Sequence, residues 1–328
     1  MLSTPVIQNL HEYFPKAQID FLVDEFASDV VAKNPWITEV ITFNRRKDSG
    51  IGVVVRVRKK KYDLVIDLFS NPRSAVIAGL SGAPIRVGYP FRWRKYAYNV
   101  LVPPRGGEVH NVDFNLDALR RLDIPVNHVR PLFPLNDKAT QFATKWIASN
   151  RLDGKQIVGM NPSGGWYTKR WGIDHYARLG DLISEKYHLE IVLLWGPGEE
   201  EDARSIQRKM KTSSYIVPQT SLIELGAIIQ QCAYVVSNDS GPMHIAASLD
   251  VPTLGIFGPT NPYLQGPYGK NHRWIRAEEI ECLACNLTSC PIGNICMTHL
   301  EPSRVMAAFD ALVQESKKQS DIHLSQNA

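Results

Sequence analysis

The chain has 328 residues, of which 44% are hydrophobic and 21% charged, an ordinary globular composition that allows two domains of moderate size. No run approaches the roughly 18 apolar residues of a membrane span, and no basic segment leads into an apolar stretch and cleavage site at the N-terminus. These observations exclude an obvious membrane-spanning or secreted class, and we expect a cytoplasmic protein, peripheral at most on the inner membrane face.

The formal net charge of +4 conceals an asymmetry between the two halves of the sequence. Residues 1–152 carry 22 Lys and Arg against 14 Asp and Glu, a net charge of +8, whereas the remainder carries 15 against 19, a net charge of −4. A basic half suggests an anionic partner such as phosphate, nucleic acid or an acidic membrane face. The same excess can also serve only to keep a surface solvated.

Apolar runs rich in β-branched residues predict buried strands, and apolar residues at helical spacing predict helices between them. The stretch Ile51–Lys61 alternates like a strand but ends in three lysines, and helix is favoured there. In chain order the elements are strand Ile19–Val23, helix Ile51–Lys61, strand Leu64–Phe69, helices Val112–Leu122 and Ala139–Ala148, strand Ile157–Met160, helix His175–Tyr187, strand Ile191–Trp195, helices Glu200–Met210 and Leu222–Gln230, and strands Tyr234–Ser237 and Pro252–Phe257. This alternation predicts an α/β fold with parallel sheets covered on both faces.

A domain boundary is predicted near Asn150–Lys155, where polar and glycine residues break the pattern just before a new strand. The series of strands and helices then starts afresh. We therefore expect a first domain over residues 1–152, a second over residues 153–300, and a C-terminal helix with a polar tail over residues 301–328.

The segment Gly159–Trp171 follows a predicted strand and precedes a predicted helix. Its small residues let backbone N–H groups approach a phosphate, and Lys169 can supply the counter-charge. Taken alone, such a loop is more often a flexible connection with an exposed lysine.

A second segment of the same kind runs from Val235 to Ala247. The predicted strand ends at Asn238 and Asp239, and either Asp239 or Ser240 can cap a helix whose first N–H groups face the crevice at the carboxyl end of the strand. His244 would then lie on the first turn of that helix. Two glycine-containing strand ends that open onto one crevice indicate a ligand site.

The order and spacing of these motifs resemble glycosyltransferase family nine, the heptosyltransferases. The segments that carry the resemblance are Lys169-Arg170-Trp171, Asn238-Asp239-Ser240-Gly241-Pro242-Met243-His244 and Phe257-Gly258-Pro259-Thr260. Lesser features agree, namely Arg86-Val87-Gly88-Tyr89, His110 with Asp113 and Leu116, and Trp195-Gly196-Pro197-Gly198-Glu199. The resemblance covers nearly the whole chain and implies the GT-B type fold of two facing Rossmann-like domains.

In that family the C-terminal domain binds a nucleotide-sugar and the N-terminal domain binds the acceptor. The donor-site residues that the resemblance implies are Ser163, Gly164 and Lys169 for the diphosphate, Glu199 for the ribose or base, and Asp239, Ser240, Gly241 and His244 for the diphosphate and sugar. ADP-heptose is the donor most often associated with the family, and no further cofactor is expected.

Four of the five cysteines are crowded into one segment, Cys282, Cys285, Cys290 and Cys296. This crowding does not resemble a secreted disulfide framework and fits a reduced compartment. The spacing would also suit a tetrahedral zinc site, while free packed thiols are the favoured alternative.

Basic and aromatic residues are interleaved in the first half of the chain, around Arg92, Trp93, Arg94 and Lys95. Cations mixed with aromatic rings suit an anionic glycolipid or a headgroup layer. The same composition can bind single-stranded nucleic acid. Because the other motifs concern sugar transfer, we expect this segment to face the acceptor and the membrane, and expect no nucleic acid.

The N-terminus departs from the family pattern. Heptosyltransferases begin with a strand and a glycine-containing loop bearing an aspartate proposed as the catalytic base, whereas here Met1 stands almost directly at the first helix. Asp20 and Asp24 flank the second strand and do not replace that base, so the catalytic residue is unassigned. We expect the first strand of the N-terminal domain to be missing and transfer by the chain as given to be weak.

The function predicted from the sequence is inverting transfer of a heptose-like sugar to the inner core of lipopolysaccharide or a related envelope glycolipid. Two alternatives remain open at this point. One is a nucleotide-sugar epimerase or hydrolase on the same scaffold, and the other is a non-catalytic protein that binds nucleotide-sugar or glycolipid.

Overall fold

The structure is a computed structural model that describes residues 1–44 and 46–326, with side chains described up to residue 319. It divides into two compact units, Met1–Pro134 and Leu135–Ala328. The division therefore lies earlier than the expected boundary at residue 152. The reason is that the helix Asp137–Ser149 packs against the helix Leu222–Gln230 of the second unit.

The first unit contains the predicted strands and helices together with four elements that were not predicted. Its elements are α1 Thr4–Tyr13, β1 Asp20–Asp24, β2 Glu39–Phe43, α2 Gly50–Lys59, β3 Leu64–Ile66, α3 Pro72–Leu80, β4 Ile85–Gly88, β5 Val100–Leu101 and α4 Asn111–Arg120. Those not predicted are β2, α3, β4 and β5. The ambiguous segment is thus a helix, α2, with Val53 and Val57 buried. Strand β3 ends earlier than expected because Asp67 Oδ1 accepts hydrogen bonds from the backbone N–H groups of Phe69 and Ser70, which turns the chain.

The strands of the first unit form two separate parallel sheets, β1 with β2 and β3 with β4 and β5. A cavity of about 670 Å³ is lined by all of β1 and β3 and by the N-terminal residues 1–3. Both strands stay largely half-exposed, unlike buried parallel strands in general. The expectation of an absent central strand remains a prediction.

The second unit contains one continuous sheet. Its elements are α5 Asp137–Ser149, β6 Ile157–Asn161, α6 Ile173–Tyr187, β7 Glu190–Leu193, α7 Glu200–Lys209, β8 Ser214–Ile216, α8 Leu222–Gln230, β9 Tyr234–Asn238, α9 Gly241–Ser248, β10 Thr253–Ile256, α10 Pro262–Gln265, β11 His272–Ile275, α11 Ile295–Thr298 and α12 Pro302–Gln326. Helix α12 packs on α6, β10 and β11, so the C-terminal segment belongs to this unit.

The six strands of this sheet are all parallel, in the order β11-β10-β9-β6-β7-β8. Strands β6 and β9 are completely buried, as expected of strands covered on both faces. The order reverses between these two strands, and ligands of open α/β sheets bind at the carboxyl ends of the strands at such a point. No helix in the described part of the chain is both long and apolar enough to cross a membrane.

Candidate functional site

The candidate site lies in the second unit, where the chain leaves the carboxyl ends of β6, β9 and β10. The loop after β6 is residues 162–166, followed by a short 3-10 helix, Tyr167–Lys169. Strand β9 leads directly into α9. Because β6 lies between β7 and β9 in a parallel sheet, the two glycine-containing segments found in the sequence meet at this edge.

A buried polar network joins the ends of β6 and β9. The Asn161 Nδ2 donates to Ser237 Oγ at 2.9 Å and to Ser240 Oγ at 2.8 Å. The Asn238 Nδ2 donates to the carbonyl of Pro162 at 2.7 Å. Buried polar groups hold position only when they are hydrogen-bonded, so this network fixes the relative position of the two loops.

Tyr176 of α6 also contacts the ends of β6 and β9. Its hydroxyl donates to the carbonyl of Asn161 at 2.9 Å and contacts Asn238 Oδ1 at 3.1 Å. Complete burial raises the pKa of this tyrosine well above its ordinary value, so the hydroxyl stays protonated and available as a donor.

Helix α9 begins at Gly241, as the sequence predicted, but the predicted side-chain cap does not form. Ser240 occupies the N-cap position without a side-chain cap hydrogen bond, because its hydroxyl is engaged with Asn161 and the carbonyl of Asn238. Gly241 is exposed and His244 is half-buried on the first turn. Uncapped N–H groups at a helix N-terminus suit an anion.

Lys169 and Asp239 form an ion pair at the centre of the site. The Lys169 Nζ lies 2.7 Å from Asp239 Oδ2, and Asp239 is only 4% exposed. The hydroxyl of Thr260, from the loop after β10, donates to the same carboxylate oxygen at 2.7 Å. The ammonium also lies 4.6 Å from the ring centroid of Trp166. An ammonium has three N–H donors, so Lys169 retains donors for a phosphate while it neutralises Asp239.

The loop after β6 contributes Ser163 and Gly164. Ser163 is buried, and within the described residues its hydroxyl has no hydrogen-bond partner. Gly164 belongs to a second cluster of polar groups, around Glu199. Its backbone N–H donates to Glu199 Oε1 at 3.4 Å. Arg170 donates to the same Glu199 oxygen at 2.7 Å.

The structure thus shows two clusters of expected donor-site residues, Lys169 with Asp239 and Gly164 with Glu199, while Ser240, Gly241 and His244 lie at the start of α9. Sequence reasoning gave no role to Asn161, which joins the ends of β6 and β9, to Thr260, which contacts Asp239, or to Arg170, which contacts Glu199. The available signal was position, because Asn161 is the last residue of the buried strand β6 and Thr260 closely follows the buried strand β10. Polar side chains at strand ends are candidates for a site in a parallel sheet.

The basic-aromatic segment forms a 3-10 helix, Arg92–Ala97, in the first unit. Trp93 is 54% exposed and Tyr96 is 80% exposed, and the Lys95 ammonium lies 5.2 Å from the centroid of the Tyr96 ring. Arg94 departs from the prediction. Its guanidinium donates to the carbonyls of Ser70 at 2.6 Å and Phe91 at 3.1 Å, so it points into the protein and holds the segment in place.

The cysteine segment does not form a metal site in the structure. Within the described residues, no group of three or more His, Cys, Asp or Glu side chains is arranged to hold a metal ion. Cys282 and Cys285 are exposed, whereas Cys296 is buried and its thiol points to Asn294 Oδ1. Burial raises the pKa of Cys296 to about 11, so it is a protonated thiol at neutral pH. The thiols of Cys282, Cys285 and Cys290 also raise the pKa of Cys296 electrostatically. The choice between free thiols and zinc therefore stays a prediction.

Comparison with known proteins identifies the family to which these features belong. The model of glycosyltransferase family 9 (heptosyltransferase) matches residues 53–296 of the chain. Lipopolysaccharide heptosyltransferase 3 of Escherichia coli is 26% identical over 297 residues, which cover 83% of this chain and 83% of the relative.

Two solved structures show the same fold. A family 9 glycosyl transferase from Veillonella parvula DSM 2008 matches with a TM-score of 0.83 and 24% identity, covering 96% of this chain and 93% of that chain. The E. coli heptosyltransferase WaaC, solved with ADP-2-deoxy-2-fluoro heptose, matches with a TM-score of 0.72 and 21% identity, covering 94% and 95%. The predicted α/β fold of GT-B type is confirmed.

Proposed function

Because the chain belongs to glycosyltransferase family 9, the heptosyltransferases, we propose that it transfers a heptose-like sugar from ADP-heptose to a lipopolysaccharide inner core or a related envelope glycolipid. The observation that carries the proposal is the ion pair between Lys169 and the buried carboxylate of Asp239, beside the N-terminus of α9. The names of similar proteins support the donor and acceptor classes, since one relative is a lipopolysaccharide heptosyltransferase and one structure holds an ADP-heptose analogue.

The chemistry follows from where charge develops during transfer. The acceptor hydroxyl attacks the anomeric carbon from the face opposite the diphosphate, the C–O bond to phosphate breaks, and its electron pair leaves on ADP. The hydroxyl proton passes to a base or to solvent. Lys169 and the uncapped N–H groups of α9 stabilise the negative charge that accumulates on the departing phosphate.

We assign Ser163 as a further, uncharged hydrogen-bond donor to the diphosphate. Its buried hydroxyl lacks a partner within the described residues, and a buried unsatisfied hydroxyl costs free energy until a ligand supplies an acceptor. A phosphate oxygen would be such an acceptor. Asp239, whose charge is neutralised by Lys169 and which accepts a hydrogen bond from Thr260, can also accept one from a sugar hydroxyl without repelling the diphosphate strongly.

Transfer is tested with purified protein, ADP-heptose and heptose-deficient inner-core glycolipid, with products identified by mass spectrometry. We expect glycolipid heavier by one heptose and stoichiometric ADP. Altered or free sugar formed without an acceptor would instead support the epimerase or hydrolase. Binding of ADP-heptose without turnover under any acceptor would support the non-catalytic alternative.

We also propose that the exposed basic-aromatic segment approaches the acceptor membrane. The variant Arg92→Gln with Lys95→Gln removes two outward cations but keeps Arg94, which holds the segment. Each basic residue near an anionic surface contributes about 1 kcal/mol, so partitioning to phosphatidylglycerol-containing vesicles should fall about 30-fold.

The matched control for this experiment is Lys138→Gln with Lys145→Gln, which removes two exposed lysines from α5 of the second unit. In vesicle flotation, the partitioning of the control should change less than about threefold relative to wild type. This smaller change would come only from the lower net charge. Equal losses in both variants would mean that the segment is merely part of a solvated basic surface.

A further inference from the structure

Arg170 contacts three acceptors that lie in two separate parts of the second unit. Its Nε donates to the carbonyl of Gly164 at 3.2 Å, its Nη2 to Glu199 Oε1 at 2.7 Å and its Nη1 to Asp202 Oδ2 at 2.9 Å. Gly164 belongs to the loop after β6, whereas Glu199 and Asp202 lie at the start of α7. A planar guanidinium can serve several acceptors at fixed angles, which an ammonium cannot do.

These contacts orient the carboxylate of Glu199. Both hydrogen bonds that the structure gives to this carboxylate, from Arg170 and from the Gly164 N–H, end on Oε1. The side chain of Glu199 is only 17% exposed. Oε2 faces Gly196, where a Cβ would stand 2.8 Å away, so the absence of a side chain at residue 196 gives this oxygen its room.

We propose that Arg170 is a positioning residue for the donor, acting through Glu199. By holding Oε1, it presents Oε2 to the ribose hydroxyls of the nucleoside diphosphate. This inference rests on the proposed function, because it takes Glu199 as the residue that binds the nucleoside. Two hydroxyl donors on adjacent carbons match a carboxylate oxygen that accepts no hydrogen bond from the described residues.

The contacts of Arg170 with Gly164, Glu199 and Asp202, here called the Arg170 clamp, also tie the nucleoside end of the site to its diphosphate end. Arg170 follows Lys169 directly in the chain, and the 3-10 helix Tyr167–Lys169 sends the two side chains to different partners. Lys169 reaches Asp239 while Arg170 reaches Glu199. A fixed distance between the two clusters is what a ligand with a charged end and a hydroxyl-bearing end requires.

The test compares binding of ADP with binding of 2′,3′-dideoxy-ADP by isothermal titration calorimetry. Wild-type protein should bind ADP at least about tenfold more tightly, since hydroxyl contacts to a carboxylate are lost in the dideoxy compound. In Arg170→Gln we expect this discrimination to fall to about twofold, with dideoxy-ADP affinity changed less than about threefold. Arg170→Lys should be intermediate, because an ammonium keeps the charge but lacks the planar fork that serves these acceptors at fixed angles.

Two variants serve as controls. Asp202→Asn removes one anchor of the clamp but leaves the Glu199 contact, so most of the discrimination should persist. Arg208→Gln removes an exposed arginine that pairs with Glu201 on the same helix, and should behave as wild type.

The outcomes separate the inference from the proposed function. Undiminished discrimination in both Arg170 variants, or equal losses for both nucleotides, would overturn the positioning role and leave a structural one. Equal affinities of the wild-type protein for ADP and dideoxy-ADP would overturn the positioning role as well, while sugar transfer could still proceed. Wild-type protein that binds neither nucleotide would overturn the proposed donor itself.

Discussion

Replacing Lys169 by alanine should impair both donor use and the stability of the second unit. The substitution leaves the carboxylate of Asp239 buried with Thr260 as its remaining hydrogen-bond partner. Removing one member of a buried ion pair costs about 3–5 kcal/mol, and the lower value is expected here because the hydroxyl remains. The efficiency kcat/KM for the donor should fall by about one to two decades. Chemical unfolding and steady-state kinetics provide the two measurements.

A double variant distinguishes binding from folding. Lys169→Met with Asp239→Asn removes both charges while keeping the side-chain lengths, so stability should return to within about 1 kcal/mol of wild type. Donor efficiency should remain low, because the phosphate still lacks its counter-charge. A stable double variant with wild-type kinetics would exclude this pair from the donor site.

Replacing Trp171 by alanine should cost the most stability, roughly 3–5 kcal/mol, for a reason unrelated to charge. Trp171 is 1% exposed, belongs to the main core of the second unit, and packs edge-on against Tyr176 at 5.3 Å between ring centroids. Its indole Nε1 donates to the carbonyl of Leu300 at 2.7 Å. The smaller residue leaves a cavity and an unsatisfied carbonyl.

The conservative variant Trp171→Phe should cost less, about 1–3 kcal/mol, since it keeps most of the apolar contact but loses the N–H donor. Tyr167→Ala is the matched control, because that ring is 77% exposed and its loss should change the free energy of unfolding by less than about 0.5 kcal/mol. Urea unfolding followed by circular dichroism measures all three. An alanine variant at residue 171 as stable as the control would contradict the packing argument.

The sequence by itself determined the fold class and much of the second unit. Parallel strands buried on both faces read as continuous apolar runs, which is why β6 and β9 were predicted within one residue. The two strands of this sheet that went undetected, β8 and β11, lie at its edges and are only half-buried. Their mixed composition, such as His272 and Arg273 in β11, carries no comparable signal.

The sequence also named Lys169 and Asp239 as site residues, but only the tertiary structure decided that they pair. They are 70 residues apart, and the strand order that places β9 beside β6 brings them within 2.7 Å. The tertiary structure likewise decided which residues Arg170 contacts. The sequence Lys169-Arg170 does not indicate which of the two side chains contacts Asp239 and which contacts Glu199. That choice depends on the short 3-10 helix that contains Lys169 and ends just before Arg170, and on loops contributed by strands distant in sequence. Local sequence patterns indicate burial but do not indicate which residue lies opposite.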